Sequence, residues 1–377
     1  MTRLLLFATI LFKVLKGFLR RFYKPFLAPM LALAGFKLLR RLTTKSVDLT
    51  DQVVLITGSS RGLGLLLAHA FAHEGCRIVI CARDAAELDR AEAQLRQAGA
   101  MVLARPCDVS KQEEVEKLID DVGRHFGQVD ILVNNAGVME VGPLESMTVK
   151  EFEEALAVMF WGILYPTLAV LPQMRARRAG RIVNITSIGG KASVPHLLPY
   201  NAAKGAAISF SEGLRAELAG QGITVTTIVP GLMRTGSYLN AIFRGRQAYE
   251  YGWFALSASL PLVTMNAERA AQQIVAATKR GEAERTLSLP AVILANLHGL
   301  LPGATARILG LAGRLVQPSA GGERGEGLKG MYVQELLPAP QRWIMRGATA
   351  LGRRAAHRLN QYDSGPVRQS AFNEGRE

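Results

Sequence analysis

The chain is poor in the residues that staple or metallate a fold. Its 377 residues hold only Cys76, Cys81 and Cys107, too few and too odd in number for a disulfide framework. Each sits in or beside an apolar, strand-like run, so all three read as buried thiols of a reducing compartment. Among the histidines, His69, His73, His125, His298 and His357 share no metal-ligand spacing, and no metal centre is expected. His196, in VPHLLPY, reads as a structural histidine near a pocket mouth. No internal repeat is present. Acid is missing from one region altogether: residues 1–46 hold ten Lys or Arg and no Asp or Glu. Residues 47–341 hold 28 of each sign and residues 342–377 hold seven bases against three acids, so the net charge of +14 belongs to the two ends. Nucleic-acid binding wants its bases clustered on a folded surface, and a neutral body between basic ends argues instead for anionic lipid.

The N-terminal arm also lacks the run of roughly 20 apolar residues that spans a bilayer. LLLFATILF, residues 4–12, is followed by Lys13, Lys16, Arg20 and Lys24 on one helical face, with Leu11, Leu15, Phe18 and Phe22 opposite. That pattern predicts a helix lying in the membrane interface, apolar side in lipid and cations at the headgroups. A second apolar stretch, Phe26 to Phe36, ends at Lys37, Arg40 and Arg41. Were the arm to span, Arg20, Arg21 and Lys24 against a lone Arg3 would keep the body in the cytoplasm. A signal peptide competes, but its charged start is thin and Lys13 interrupts its apolar core, so retention is favoured. The plainer alternative is an amphipathic helix packed on the protein's own body. The expectation is a membrane-associated protein with its catalytic domain on the cytoplasmic side.

From residue 53 short apolar runs alternate with helix-length patterns. The runs are VVLIT (53–57), RIVICA (77–82), MVLARPC (101–107), ILVN (131–134), RIVNITS (181–187), ITVTTIVP (223–230) and TLSL (286–289). Continuous Val and Ile with helical spacers indicate strands buried on both faces of a parallel sheet. The fold class is therefore α/β, a Rossmann-type doubly wound parallel sheet of about seven strands with N-terminal amphipathic helices and a C-terminal helical extension. The expected divisions are an arm (1–46), a dinucleotide-binding domain (47–290), an amphipathic helical extension (291–317) and a flexible or partly helical tail (318–377). The long, aromatic stretch from Leu232 to Val263 reads as a lid or binding loop.

TGSSRGLG, Thr57 to Gly64, follows the first strand and opens the first helix, the context a dinucleotide fingerprint needs. Gly58 permits the tight turn, Gly62 lets the backbone approach a pyrophosphate, and Gly64 lets the helix pack on the sheet; the phosphates then meet a helix N-terminus. At the end of the second strand, where a free ribose 2′-hydroxyl wants an acid, stand Ala82 and Arg83. Arg61 and Arg83 together favour a 2′-phosphate, hence NADP over NAD, unless both are solvated and Asp84 takes the hydroxyl.

With these residues the chain resembles the short-chain dehydrogenase/reductase family over about residues 50–290. The glycine loop, including Ser60, matches the family's TGxxxGxG. Asp108 and Val109 match its adenine contacts, and Asn134, Asn135, Ala136 and Gly137 match its NNAG. Pro230, Gly231 and Thr235 match its nicotinamide-side motif, and Ser187, Tyr200 and Lys204 match its reactive triad. The chemistry is consistent with that pattern. A tyrosine of ordinary pKa near 10 exchanges protons poorly at neutral pH, and an ammonium one turn away stabilises its phenolate. Tyr200 then serves as general acid in reduction and general base in oxidation, with Ser187 holding the substrate oxygen and Lys204 also holding the cofactor ribose. The plainer reading of Tyr200 is a surface residue on a helix.

One position departs from the family, which has asparagine three residues before a glycine in the helix after NNAG and uses it to keep a kink and a relay water. Here Met159 precedes Gly162, and a thioether donates no hydrogen bond. The expected function is an NADP(H)-dependent oxidoreductase interconverting an alcohol and a ketone or aldehyde on a lipophilic substrate, at a membrane surface. The family's habit implies a homo-oligomer. The competing reading is a membrane-tethered cofactor-binding or scaffold protein with attenuated activity.

Overall fold

The computed structural model describes residues 46–261, 263–316 and 325–362. The chain divides into two compact units, Met1–Val47 and Asp48–Glu377. Almost all of the first unit, and with it the basic arm and its amphipathic pattern, lies outside the described residues.

The second unit is built on seven parallel strands. β1 (Val53–Thr57), β2 (Arg77–Ala82), β3 (Val102–Pro106), β4 (Ile131–Asn134), β6 (Gly180–Ile185), β7 (Ile223–Pro230) and β11 (Glu284–Leu287) pair in the order β3-β2-β1-β4-β6-β7-β11. The chain leaves β1 in one direction and crosses back to β4, so a crevice opens at the carboxyl ends of those two strands, where open α/β sheets bind ligands. Alternation along each strand splits the core into two layers. Val54, Ile56, Ile78 and Ile80 face α1 (Gly62–His73) and α8 (Ala267–Arg280), whereas Val53, Leu55, Val79 and Leu132 face α3 (Gln112–Phe126) and α5 (Gly162–Ala176). Between strand and helix come α2 (Ala85–Gln97) after β2 and α6 (Leu198–Glu217) before β7.

α4 (Val149–Leu156) runs into α5 through a π-helical turn at Ala157–Trp161. Together they make one helix of 28 residues, Val149–Ala176, with mean hydropathy 1.8. Among the described residues it alone is long and apolar enough to cross a membrane by length and composition, but it packs between α3 and α6 against the sheet.

The stretch from Leu232 to Val263 is more structured than a loop. It holds β8 (Met233–Arg234), β9 (Ile242–Phe243) and α7 (Gln247–Ser257). β9 pairs with both β5 (Glu140–Val141) and β12 (Leu328–Lys329), and the latter begins the C-terminal extension. Before it come α9 (Leu289–Leu300) and α10 (Pro302–Val316); after it come α11 (Gly330–Leu336), α12 (Ala339–Ala348) and α13 (Ala350–Arg358). Tyr238, Phe243, Tyr251 and Phe254 form a third apolar cluster with Val333, Leu337 and Ala356 of that extension. A side chain on Gly236 would strike Ala356, its Cβ falling 2.4 Å from that residue's Cβ, so the extension lies directly on the segment after Thr235. Residues 325–362 are thus folded onto the body, where composition suggested a flexible or partly helical tail.

Candidate active site

The glycine loop joins β1 to α1 with Gly58 and Gly62 at positive φ, +61° and +60°. A Cβ on Gly58 would lie 2.7 Å from Ala136 Cα, and one on Gly64 would lie 2.4 Å from Gly58 O. Both positions therefore demand glycine, one for the turn against β4 and one for helix approach. Asn135 and Ala136 fasten the two loops. Their amides donate to Thr57 Oγ1 at 3.0 and 3.1 Å, and Asn135 Nδ2 donates to the carbonyls of Thr57 and Gly58 at 2.9 and 3.0 Å.

Gly62 behaves differently from expectation. Its amide donates to Leu359 O at 2.9 Å, and a Cβ there would lie 2.7 Å from Gln361 Nε2. The close approach that glycine permits is made by the C-terminal segment of the same chain. The next two amides at the start of α1, of Leu63 and Gly64, have no acceptor among the described residues. Two unpartnered N–H groups on a helix N-terminus beside a glycine cradle fit a phosphate, so the loop suits a dinucleotide.

At the ribose end the two arginines part company. Arg61 Nη1 pairs with Glu87 Oε1 at 2.5 Å, and Ser60 Oγ donates to Glu87 Oε2 at 3.0 Å. Arg83 is exposed and has no partner among the described residues. Asp84 caps α2, its Oδ1 accepting from Glu87 N at 2.8 Å. The pairing of Arg61 was illegible because Glu87 is 26 positions away. Asp108 accepts from Ser110 N and Ser110 Oγ at 3.0 and 2.7 Å, and buried Val109 contacts the helix at Gly162. Gly137 faces Met159. On the far side of the crevice Gly231 donates to Leu287 O at 3.2 Å, which places Pro230 and Gly231 at the end of β7, with buried Thr235 following.

The candidate triad converges. Ser187 lies two residues beyond β6, buried, its Oγ accepting from Gly189 N at 3.1 Å. Tyr200 and Lys204 stand one turn apart on α6. Burial pushes the Tyr200 phenol above its ordinary value, and its hydrogen bond with Ser187 pulls it partly back. Lys204 is 4% exposed, its Nζ 5.9 Å from the Tyr200 ring centroid and donating to Ile185 O at 2.8 Å. Burial depresses its pKa to about 8. The expected stabilisation of a Tyr200 phenolate by the lysine is therefore outweighed in this state: desolvation dominates both groups. Tyr200 is half-buried rather than a surface tyrosine.

Met159 is fully buried in the π-helical turn, packed with Tyr200, Ala155 and Ala203. A Cβ on Gly137 would lie 3.7 Å from its Sδ. The irregular turn is kept, with a thioether in it. His196 is buried. It takes a positive φ of 64°, and its Nδ1 meets the Glu250 carboxylate at 2.8 Å, which also accepts from Trp253 Nε1 at 2.7 Å. Composition gave no sign of this buried pair, because Glu250 reads as an ordinary first-turn acid of α7. The three cysteines are free and buried, and no cluster of metal-ligating side chains exists among the described residues.

A family model described as short chain dehydrogenase matches residues 52–241. The chain belongs to the short-chain dehydrogenase family. It is 40% identical over 199 residues to a dehydrogenase/reductase SDR family protein 7-like of Anopheles gambiae, a match covering 52% of this chain and 63% of that protein. The chain thus spans less than two thirds of that relative's length. It is 34% identical over 268 residues to 11-beta-hydroxysteroid dehydrogenase A of Sesamum indicum, covering 69% of this chain and 75% of the relative. Among solved structures, an actinorhodin polyketide ketoreductase variant with NADPH superposes with a TM-score of 0.56 at 31% identity, covering 63% of this chain and 95% of that one. An NAD+-bound xylitol dehydrogenase superposes with a TM-score of 0.57 at 26% identity, covering 64% and 99%. By sequence the chain belongs with dehydrogenases and reductases, and these two solved structures hold NADPH and NAD+.

Proposed function

We propose that this oxidoreductase is NADP(H)-dependent and interconverts an alcohol and a ketone or aldehyde on a lipophilic substrate. The observation that carries the reading is the convergence of Ser187, Tyr200 and Lys204 beside the glycine loop. Held by the glycine loop, a nicotinamide cofactor would supply the hydride for the carbonyl carbon. Tyr200 Oη gives its proton to the carbonyl oxygen in reduction and takes it back in oxidation, while the Ser187 hydroxyl donates to that oxygen and steadies the developing charge. Lys204 would hold the cofactor ribose, its Nζ standing 5.9 Å from the Tyr200 ring centroid. Leu63, Gly64 and Thr235 serve the phosphate and nicotinamide side; Asp108, Val109, Asn135, Ala136, Gly137, Pro230 and Gly231 frame the crevice.

NADP is supported by the exposed Arg83 guanidinium, which has no partner among the described residues. The pairing of Arg61 with Glu87 means that this second guanidinium must exchange partners to meet a 2′-phosphate. Leu289, Ile293, Leu300, Ile308 and Leu311 of α9 and α10, and Leu301 between them, are exposed, which suits a protein lying on lipid or on a second copy of itself. Peripheral membrane association on the cytoplasmic side and homo-oligomerisation belong to this reading. The burial of Met159 where the family keeps asparagine favours one alternative, a tethered cofactor-binding protein of attenuated turnover.

The test is oxidation of NADPH and NADH with a panel of aliphatic, aromatic and steroidal aldehydes and ketones. Turnover with NADPH on the apolar members is expected. Tight cofactor binding with no turnover on any member rejects the enzyme reading in favour of the tethered binder.

A further inference from the structure

The C-terminal extension does more than pack on the body. After α13 the chain runs through Leu359, Asn360 and Gln361 along the outer edge of the glycine loop, some 300 positions away in sequence. Asn360 takes a left-handed φ of 55°, a conformation that asparagine tolerates better than most residues. Its Nδ2 donates to Ser60 O at 2.9 Å and Glu87 O at 3.0 Å, and its Oδ1 accepts from Arg90 Nε at 3.0 Å. The side chain thereby pins the glycine loop, α2 and the extension together. Leu359 O caps the Gly62 amide, and Arg358 pairs with Glu268 at 2.7 Å to anchor the approach.

Gln361 comes next and is 4% exposed. Asn240, from the segment after Thr235, donates through Nδ2 to both Gln361 O and Gln361 Oε1 at 2.8 Å. The amide is thus oriented by its oxygen, and its Nε2 faces Gly62, the point where the fingerprint backbone meets a pyrophosphate. Among the described residues that Nε2 has no acceptor. A donor oriented by Asn240, with no acceptor among the described residues and next to the free amides of Leu63 and Gly64, is a group held ready for an anion.

We propose that Leu359–Gln361 is a strap completing the phosphate end of the cofactor site, with the Gln361 side-chain amide as a phosphate donor and Asn360 as the positioning residue that holds it. The strap bridges the glycine loop on one side and Asn240 on the other, so it ties together two segments that frame the site. The pyrophosphate is common to both nicotinamide dinucleotides, so the strap acts on each alike, unlike Arg83. The proposal rests on the dinucleotide site but not on the choice of NADP over NAD, nor on turnover.

The experiment measures the dissociation constants of NADPH and NADH by nicotinamide fluorescence with the full chain, for wild type, Gln361→Ala, Gln361→Glu and Asn360→Gly. Glycine keeps the left-handed backbone while removing the pin. Gln361→Glu, which sets a carboxylate against the phosphates, is expected to weaken both cofactors by more than about tenfold, and Gln361→Ala by about three- to tenfold. Asn360→Gly follows in the same direction, and the melting temperature of the unliganded Gln361 variants stays near wild type. Unchanged affinities in both Gln361 variants overturn the proposal. Tighter binding in them also overturns it, since the strap then competes with the cofactor. Absence of binding in wild type and variants together overturns the dinucleotide reading itself, and the strap with it.

Discussion

Replacing Lys204 with methionine tests the electrostatics of the site in a way that turnover alone does not. The side chain is almost wholly buried, and desolvation lowers its pKa from 10.5 to about 8. A folded-state pKa below the unfolded value means that folding opposes the charged form. The destabilisation is fully present below pH 8 and fades as pH climbs from about 8 toward 10.5, because the unfolded chain then binds more protons than the native one. Each unit corresponds to about 1.4 kcal/mol, so the buried ammonium costs roughly 3 kcal/mol at pH 7. Methionine keeps the apolar stem and removes the charge, at the loss of the hydrogen bond to Ile185 O, about 1 kcal/mol. The net expectation is a gain of about 2 kcal/mol, or a melting temperature higher by about 3 °C at pH 7, with turnover abolished. Scanning calorimetry of both proteins from pH 7 to pH 10 reads it out. The gap should narrow steadily above pH 8. A Lys204→Met protein that melts below wild type at pH 7, or a gap that does not change with pH, refutes the argument.

Two further substitutions bear on the departures from the family. Met159→Asn places an amide in the buried π-helical turn beside Tyr200; it should lower stability by about 2–4 kcal/mol through lost apolar packing and raise kcat by about tenfold. An unchanged or lower kcat at wild-type cofactor affinity would show that the thioether does not limit proton transfer. Arg83→Ala should weaken NADPH by about tenfold or more while sparing NADH. Equal weakening of both would remove Arg83 from 2′-phosphate recognition and leave Arg61 to do it.

Much of the sheet was legible because its strands are buried on both faces. VVLIT, RIVICA and ILVN coincide with β1, β2 and β4 residue for residue, since continuous Val and Ile between turn residues leave little choice. TLSL was placed two residues late: β11 begins at Glu284 on the sheet edge, where a polar start is tolerated. The glycine loop and the order of Ser187, Tyr200 and Lys204 were readable because their spacing is local. What could not be read depends on long-range burial. Nothing in the sequence near Arg61 announces Glu87, nothing near His196 announces Glu250, and the pKa of Lys204 follows from the wall around it rather than from its distance to Tyr200. The clearest case is Gln361: the surrounding sequence suggested a tail, yet three hydrogen bonds of Asn360 to residues far upstream bring it against the glycine loop.

The central claim is that Tyr200 moves the proton in this site. Tyr200→Phe removes only the hydroxyl, so the NADPH dissociation constant should match wild type while kcat on an apolar ketone falls by at least about a hundredfold. Equal turnover in the two proteins, at equal cofactor occupancy, would contradict the account.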